Sequence, residues 1–116
     1  MKKATGDRGE ALAADYLERR GYTIVCRNYR TRQGEIDIIC QERDVLVFVE
    51  VRTKTNNRFG EPEESMTPRK IQRIRTTALT YLDQTEKRPR NGIRFDFIGI
   101  RLDSTEPRIN HIKGAF

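Results

Sequence analysis

Two apolar runs stand out in an otherwise polar chain: GEIDIIC at 34–40 and VLVFVEVRTK at 45–54. Side chains alternate across a strand. The pattern predicts strands near Glu35–Cys40 and Val45–Thr53, joined by a turn at residues 41–44 (QERD). One side carries Ile36, Ile38, Cys40, Val47, Val49 and Val51, wholly apolar and therefore core. The other carries Glu35, Asp37, Ile39, Phe48, Glu50 and Arg52, and is mixed. An even turn with Arg43 and Asp44 at its tip sets Asp37 opposite Glu50, Glu35 opposite Arg52 and Ile39 opposite Phe48. An odd turn without a bulge would part the two acids. It would also expose the Ile and Val face if the strand slipped by one.

The remaining pattern predicts a helix over Thr5–Arg20, capped by Thr5 or Asp7, with Leu12, Ala13, Tyr16 and Leu17 as its apolar stripe. Gly21 is its stop signal, and Glu10 falls at the margin of the stripe. Tyr22–Tyr29 is β-branched and aromatic, and reads as a strand. A basic turn follows at 30–34, and a loop rich in Asn, Gly and Pro runs over 54–65. Thr67 caps a second helix with Pro68 in its first position, and Ile71, Ile74, Ala78, Tyr81 and Leu82 form its apolar face. That helix fades near Asp83, and strands follow at Ile93–Leu102 and Arg108–Lys113. The order α-β-β-β-α-β-β is an α/β layer fold, a mixed central sheet flanked by helices. With 116 residues and no repeat or linker, it is one domain, residues 1–116.

Facing carboxylates would sit about 4.5–5.5 Å apart at Cβ and repel. A shared proton, a basic neighbour such as Arg52, or a divalent cation would relieve them. Mg²⁺ is held by one or two carboxylates with water and phosphate oxygens. The competing reading is a wet outer face with Glu35–Arg52 as an ordinary ion pair. Glu50 weighs against it, because VFVEV reads as a strand covered on both sides.

Charge adds a partner to this picture. The net charge is +6, and many of the cations are Arg, which suits bidentate phosphate contact. A basic surface favours polyanions, nucleic acid foremost; a merely solvated surface explains the charge equally well. Cys26 and Cys40 lack metal-type spacing and read as buried free thiols of a reducing compartment. No signal-peptide core and no stretch of ~20 apolar residues is present, so a cytoplasmic protein without membrane contact is expected.

GEID at 34–37 followed by VFVEVRTK at 47–54 resembles the PD-(D/E)xK, or restriction-endonuclease-like, nuclease superfamily. More narrowly, TGDRGEALAADYLERRGY at 5–22, TPRKIQRIRTTALTYL at 67–82, RFDFIGI and INHIKGAF resemble the YraN-like family of small bacterial proteins. The resemblance spans nearly the whole chain. It implies a core of αβββαβ order and a Mg²⁺- or Mn²⁺-dependent phosphodiesterase acting on DNA, in repair or recombination. Glu10 would correspond to the first-helix acid of the Holliday-junction-resolvase branch. Asp37 and Glu50 would be metal ligands, with the Val51 carbonyl as a third. Arg52 stands where the superfamily motif has Lys. Arg binds phosphate and stabilises charge but does not give up a proton. Lys54 and Lys70 are candidates for the missing lysine, and ordinary surface charge explains each of them as well.

Arg30, Arg32, Arg58, Arg69, Lys70 and Arg73 would form a phosphate track if the hairpin end and the second helix line one cleft. Homodimerisation is the candidate assembly. His111 reads as structural, and Asp96 as half of an ion pair with an Arg. Besides a nuclease, the sequence allows a nucleic-acid-binding module that has lost the chemistry, and an adaptor for an acidic protein.

Overall fold

The computed structural model describes residues 2–55, 66–85, 89–103 and 105–116, with the side chains of 2–5 left aside. Its elements are α1 (Lys2–Arg19), β1 (Thr23–Arg30), β2 (Glu35–Glu42), β3 (Val45–Lys54), α2 (Pro68–Gln84), β4 (Ile93–Arg101) and β5 (Arg108–Ile112). This is the expected order. The sheet order is β1-β2-β3-β4-β5, with β3 and β4 parallel and every other pair antiparallel. A parallel pair needs a crossover, and α2 supplies it.

Helix α1 begins at Lys2, so Thr5 and Asp7 lie within it and do not cap it. Nothing in KKATGD breaks a helix outright: there is no proline, and one glycine costs only about 1 kcal/mol. Gly21 ends it as expected, with a left-handed φ of 91°. At the start of α2 the Thr67 hydroxyl accepts from the Lys70 N–H at 3.2 Å, and Pro68 occupies the first position.

Both sheet faces are covered. Ala13, Ala14 and Leu17 of α1 bury Ile38, Cys40, Val47, Val49, Val51, Ile98 and Ile100. Ile74 and Ala78 of α2 bury Ile36, Ile39, Leu46, Phe48 and Phe95. The middle of the hairpin is therefore covered on both faces, while Glu35, Asp37 and Arg52 at its open end are half-buried. A Cβ on Gly9 would collide with the Thr53 hydroxyl, so α1 crosses β3 as closely as a residue without a side chain allows. A Cβ on Gly34 would meet Thr77 Oγ1 at 3.0 Å and Arg73 Cβ at 3.6 Å, so the β1–β2 turn packs on α2.

Ile36 departs from the expected alternation. It joins Ile39 and Phe48 beneath α2, not Ile38 and Cys40 beneath α1. The pattern changes face at Asp37, where β2 and β3 cease to pair. Cys40 is buried as expected, whereas Cys26 is only half-buried on the edge strand β1.

On β4, beside Val49, a carboxyl group is fully enclosed. Asp96 is 0% exposed. It accepts from Arg94 at 2.8 and 2.9 Å and from the Gly114 N–H at 3.1 Å, and lies 2.7 Å from His111 Nε2. Arg94 continues to Glu42 and to the Tyr22 hydroxyl, both at 2.9 Å. Burial pushes the Asp96 carboxyl up, but these donors overcome it and hold it at about 2. The expected Arg partner is present, and the network fastens the C-terminal residues to β4.

Candidate metal and phosphate site

The β2–β3 ladder runs from Glu42↔Val45 to Ile38↔Val49, so the tip holds two residues and the parity is even. Arg43 takes a left-handed φ of 54° to make that turn. Continued by one pair, the register sets Asp37 against Glu50. There the ladder stops. The Val51 N–H donates to Asp37 Oδ2 at 2.8 Å, so a side chain takes the place of a strand carbonyl. Val51 meanwhile keeps its place opposite Ile98 in the parallel ladder.

The two carboxyl groups are close enough that each shifts the ionisation of the other. Burial, then the charge of Glu50, push the Asp37 carboxyl up to about 8, against the Val51 N–H and Arg52, which pull it down. Glu50 is only 7% exposed. Burial raises its carboxyl too, opposed by Arg52, by the bond to Asp37 and by the charge of Lys70. Arg52 Nη2 lies 2.7 Å from Glu50 Oε2, and its Nε is buried without a hydrogen-bond partner among the described residues. The pair thus keeps a proton near neutral pH, where a cation could take its place.

The donor set is oxygen. That suits Mg²⁺ or Mn²⁺ better than the softer ions favoured by thiolate. Among the described residues no three His, Cys, Asp or Glu side chains converge as a metal cage. A cation here would be held by Asp37 and Glu50 and would complete its shell with water, carbonyl or phosphate oxygens.

Glu10, on α1, lies within range of the charge of Asp37. Burial, then the charge of Asp37, raise its carboxyl to about 7, with Arg27 opposing. Arg27 Nη2 is 4.0 Å from Glu10 Oε1. Glu35 and a residue that the sequence did not single out, Asn28, complete this edge. The Asn28 side-chain amide faces Glu10 Oε1 at 2.8 Å and Glu35 Oε1 at 3.2 Å; since both are acceptors, its nitrogen is assigned to that side, where it donates to each. Glu35 also pairs with Arg30 at 3.3 Å. That corrects the expected Glu35–Arg52 pair: Arg30 is Glu35's neighbour on β1, while Arg52 turns to Glu50 on its own strand. The available signal for Asn28 was an Asn inside a β-branched and aromatic run, a residue depleted in strands.

The cations divide. Arg52 and Lys70 act on the acid pair. Arg30 and Arg32 flank a turn that packs on α2 beside Arg73, and Arg32, Arg69 and Arg73 are exposed. Lys54 is half-buried at the end of β3, opposite Arg101. Arg58 lies outside the described residues. A cavity of about 610 Å³ at the hairpin tip, lined by Val25, Asp44, Tyr81 and Arg90 among others, includes none of the acids of this site. No helix is long and apolar enough to cross a membrane, among the residues described.

The chain is similar over its full length to proteins of the same family name from several bacteria. The UPF0102 protein of Syntrophomonas wolfei is 46% identical, with 100% of both chains covered. That of Anaeromyxobacter dehalogenans is 43% identical, over 99% of this chain and 85% of the relative. That of Dehalococcoides mccartyi is 44% identical, over 98% and 93%. The profile of "Uncharacterised protein family UPF0102" matches residues 9–100. By that match and these identities, the chain belongs to family UPF0102.

Proposed function

We propose that the protein is a metal-dependent endonuclease-like protein that hydrolyses DNA phosphodiesters, with the restriction-endonuclease-like core its sequence resembles. The observation that carries this reading is the pairing of a buried Glu50 with a half-buried Asp37 at the point where β2 and β3 part, with Arg52 at 2.7 Å from Glu50. A fold gains nothing from setting two poorly solvated acids side by side, and desolvating them is costly.

Asp37 and Glu50 would hold Mg²⁺ or Mn²⁺. Bound there, the ion supplies Lewis acidity toward a phosphate oxygen and toward a water. The Val51 N–H fixes the Asp37 carboxylate, and Arg52 fixes that of Glu50. Arg52 also offsets charge that develops on phosphate without moving a proton. Lys70, with Arg69 and Arg73 on the first turns of α2, would take backbone phosphates, joined by Arg30 and Arg32 from the turn that packs on α2.

The test is cleavage of duplex, flap and four-way-junction DNA by purified protein with Mg²⁺ or Mn²⁺. Cutting should be abolished by Asp37→Ala and Glu50→Ala while the fold survives. A wild-type protein that cuts none of these substrates with either metal ends the reading. The engagement of Arg52 with Glu50, at the position where the motif has Lys, favours a second reading, a binding module without chemistry. It expects salt-dependent DNA binding that persists in Asp37→Ala, with no cleavage.

A further inference from the structure

Glu10, Glu35, Asp37 and Glu50 come from three elements, α1, β2 and β3, yet crowd one end of the sheet. Like charges so placed must be held apart or joined by donors. Arg52 serves Glu50, and the Val51 N–H serves Asp37. Arg27 comes no closer than 4.0 Å to Glu10. The short contact to Glu10 comes from a neutral group on β1, the Asn28 amide, whose second hydrogen reaches Glu35.

The backbone of Asn28 is built for that reach. Its φ is 55°, a left-handed conformation that Asn tolerates better than most residues. Its neighbours pair as Arg27↔Ile38 and Tyr29↔Ile36, so Asn28 stands across from Asp37. Glu10, Asn28, Asp37 and Glu50 therefore form a row across α1, β1, β2 and β3.

We propose that Asn28 is a positioning residue of the site: its two amide hydrogens clamp Glu10 and Glu35 and so fix α1 beside the Asp37–Glu50 pair. This rests on reading that pair as a cation site. One N–H on each acid orients the carboxylate and leaves its other oxygen directed elsewhere. Arg30 at 3.3 Å from Glu35 and Arg27 at 4.0 Å from Glu10 supply charge, and the amide alone joins the two acids to each other. The same amide links the edge strand to the helix, so the clamp also sets the distance of Glu10 from Asp37.

The full-length Asn28→Gly variant isolates the clamp. Glycine accepts a φ of 55° without strain and deletes both donors. Mn²⁺ is titrated into wild type and variant, with circular dichroism and melting temperature as checks on the fold. A group bonded directly to a metal ligand typically contributes 10–100-fold to affinity. Asn28 stands one step further out, on Glu10 and Glu35. The expected result is therefore Mn²⁺ affinity weakened by no more than about tenfold in a folded variant. Equal affinity in the two proteins overturns the proposal. A second readout needs no metal. In wild-type protein the Asn28 side-chain amide resonances should shift on Glu10→Gln and on Glu35→Gln. If wild type binds no Mn²⁺, the cation reading falls, and these resonances alone decide whether Asn28 holds the acids. Resonances insensitive to both changes overturn the clamp.

Discussion

Replacing Asp37 by Asn should stabilise the metal-free protein, and the gain should grow with pH. In the folded state the carboxyl is raised from 3.8 to about 8, chiefly by burial and then by Glu50. The unfolded chain releases that proton near pH 4. The folded state therefore holds an extra proton between about pH 4 and 8, and the stability tied to it is lost as pH rises through that window. At pH 7 the protonation cost is about 3 pH units, or about 4 kcal/mol as a ceiling. Asp37 is partly reached by water, which lowers the effective penalty to about 1–3 kcal/mol. An Asn in its place needs no proton: its oxygen accepts from Val51, and its nitrogen donates to Glu50. For a domain of this size we expect the melting temperature to rise by about 4–12 °C at pH 7–8 and to change little near pH 4. The assay is thermal unfolding by circular dichroism from pH 4 to 8, without metal and with EDTA. A gain that does not vary with pH, or none at pH 8, would refute the placement of a neutral Asp37 against Glu50. Mn²⁺ at 100 times its dissociation constant should stabilise wild type by about 2.7 kcal/mol and leave Asp37→Asn unmoved.

Three further outcomes follow from other parts of the structure. Asp96→Ala should cost about 3–5 kcal/mol, read by denaturant unfolding, because it leaves Arg94 without its buried partner; a loss under 1 kcal/mol would mean the network is dispensable. Since donors hold the Asp96 carboxyl at about 2, its contribution is present above pH 4 and lost as pH falls toward 2. Gly9→Ala should cost about 1–3 kcal/mol by overpacking against Thr53, and Thr53→Ala should recover much of it in the double variant. Strict additivity of the two changes would contradict the close crossing of α1 and β3. Lys70→Ala and Arg73→Ala should each weaken DNA binding at low salt and lower the slope of log K against log salt by about 1, whatever the DNA sequence. An unchanged slope removes that residue from the phosphate track.

The sheet core was legible because burial imposes a period. Ile38, Val47, Val49 and Val51 alternate with residues of the other face, and both the strands and the even turn follow from that. Ile36 was assigned to the wrong side because alternation assumes an unbroken ladder, and the ladder ends at Asp37. Glu35–Arg52 failed for the same reason, and because β1 places Arg30 next to Glu35. The start of α1 was misread because Thr5 and Asp7 look like caps locally, while packing of Ala13, Ala14 and Leu17 on the sheet sustains the helix. Asn28 was out of reach. Its role depends on a left-handed backbone and on two acids from other elements, and neither leaves a periodic trace. The Asp96 network was half visible: an Arg partner was expected, but not His111, Glu42 and the tail amide of Gly114.

The central claim is that Asp37 and Glu50 together hold a divalent cation. The most direct test is a crystal structure of the full chain grown with Mn²⁺, with anomalous data collected at the manganese edge. One anomalous peak should bridge the two carboxylates, within about 2.0–2.3 Å of an oxygen of each, and be lost in Asp37→Asn crystals. Saturating Mn²⁺ with no peak between the two acids would contradict a shared cation.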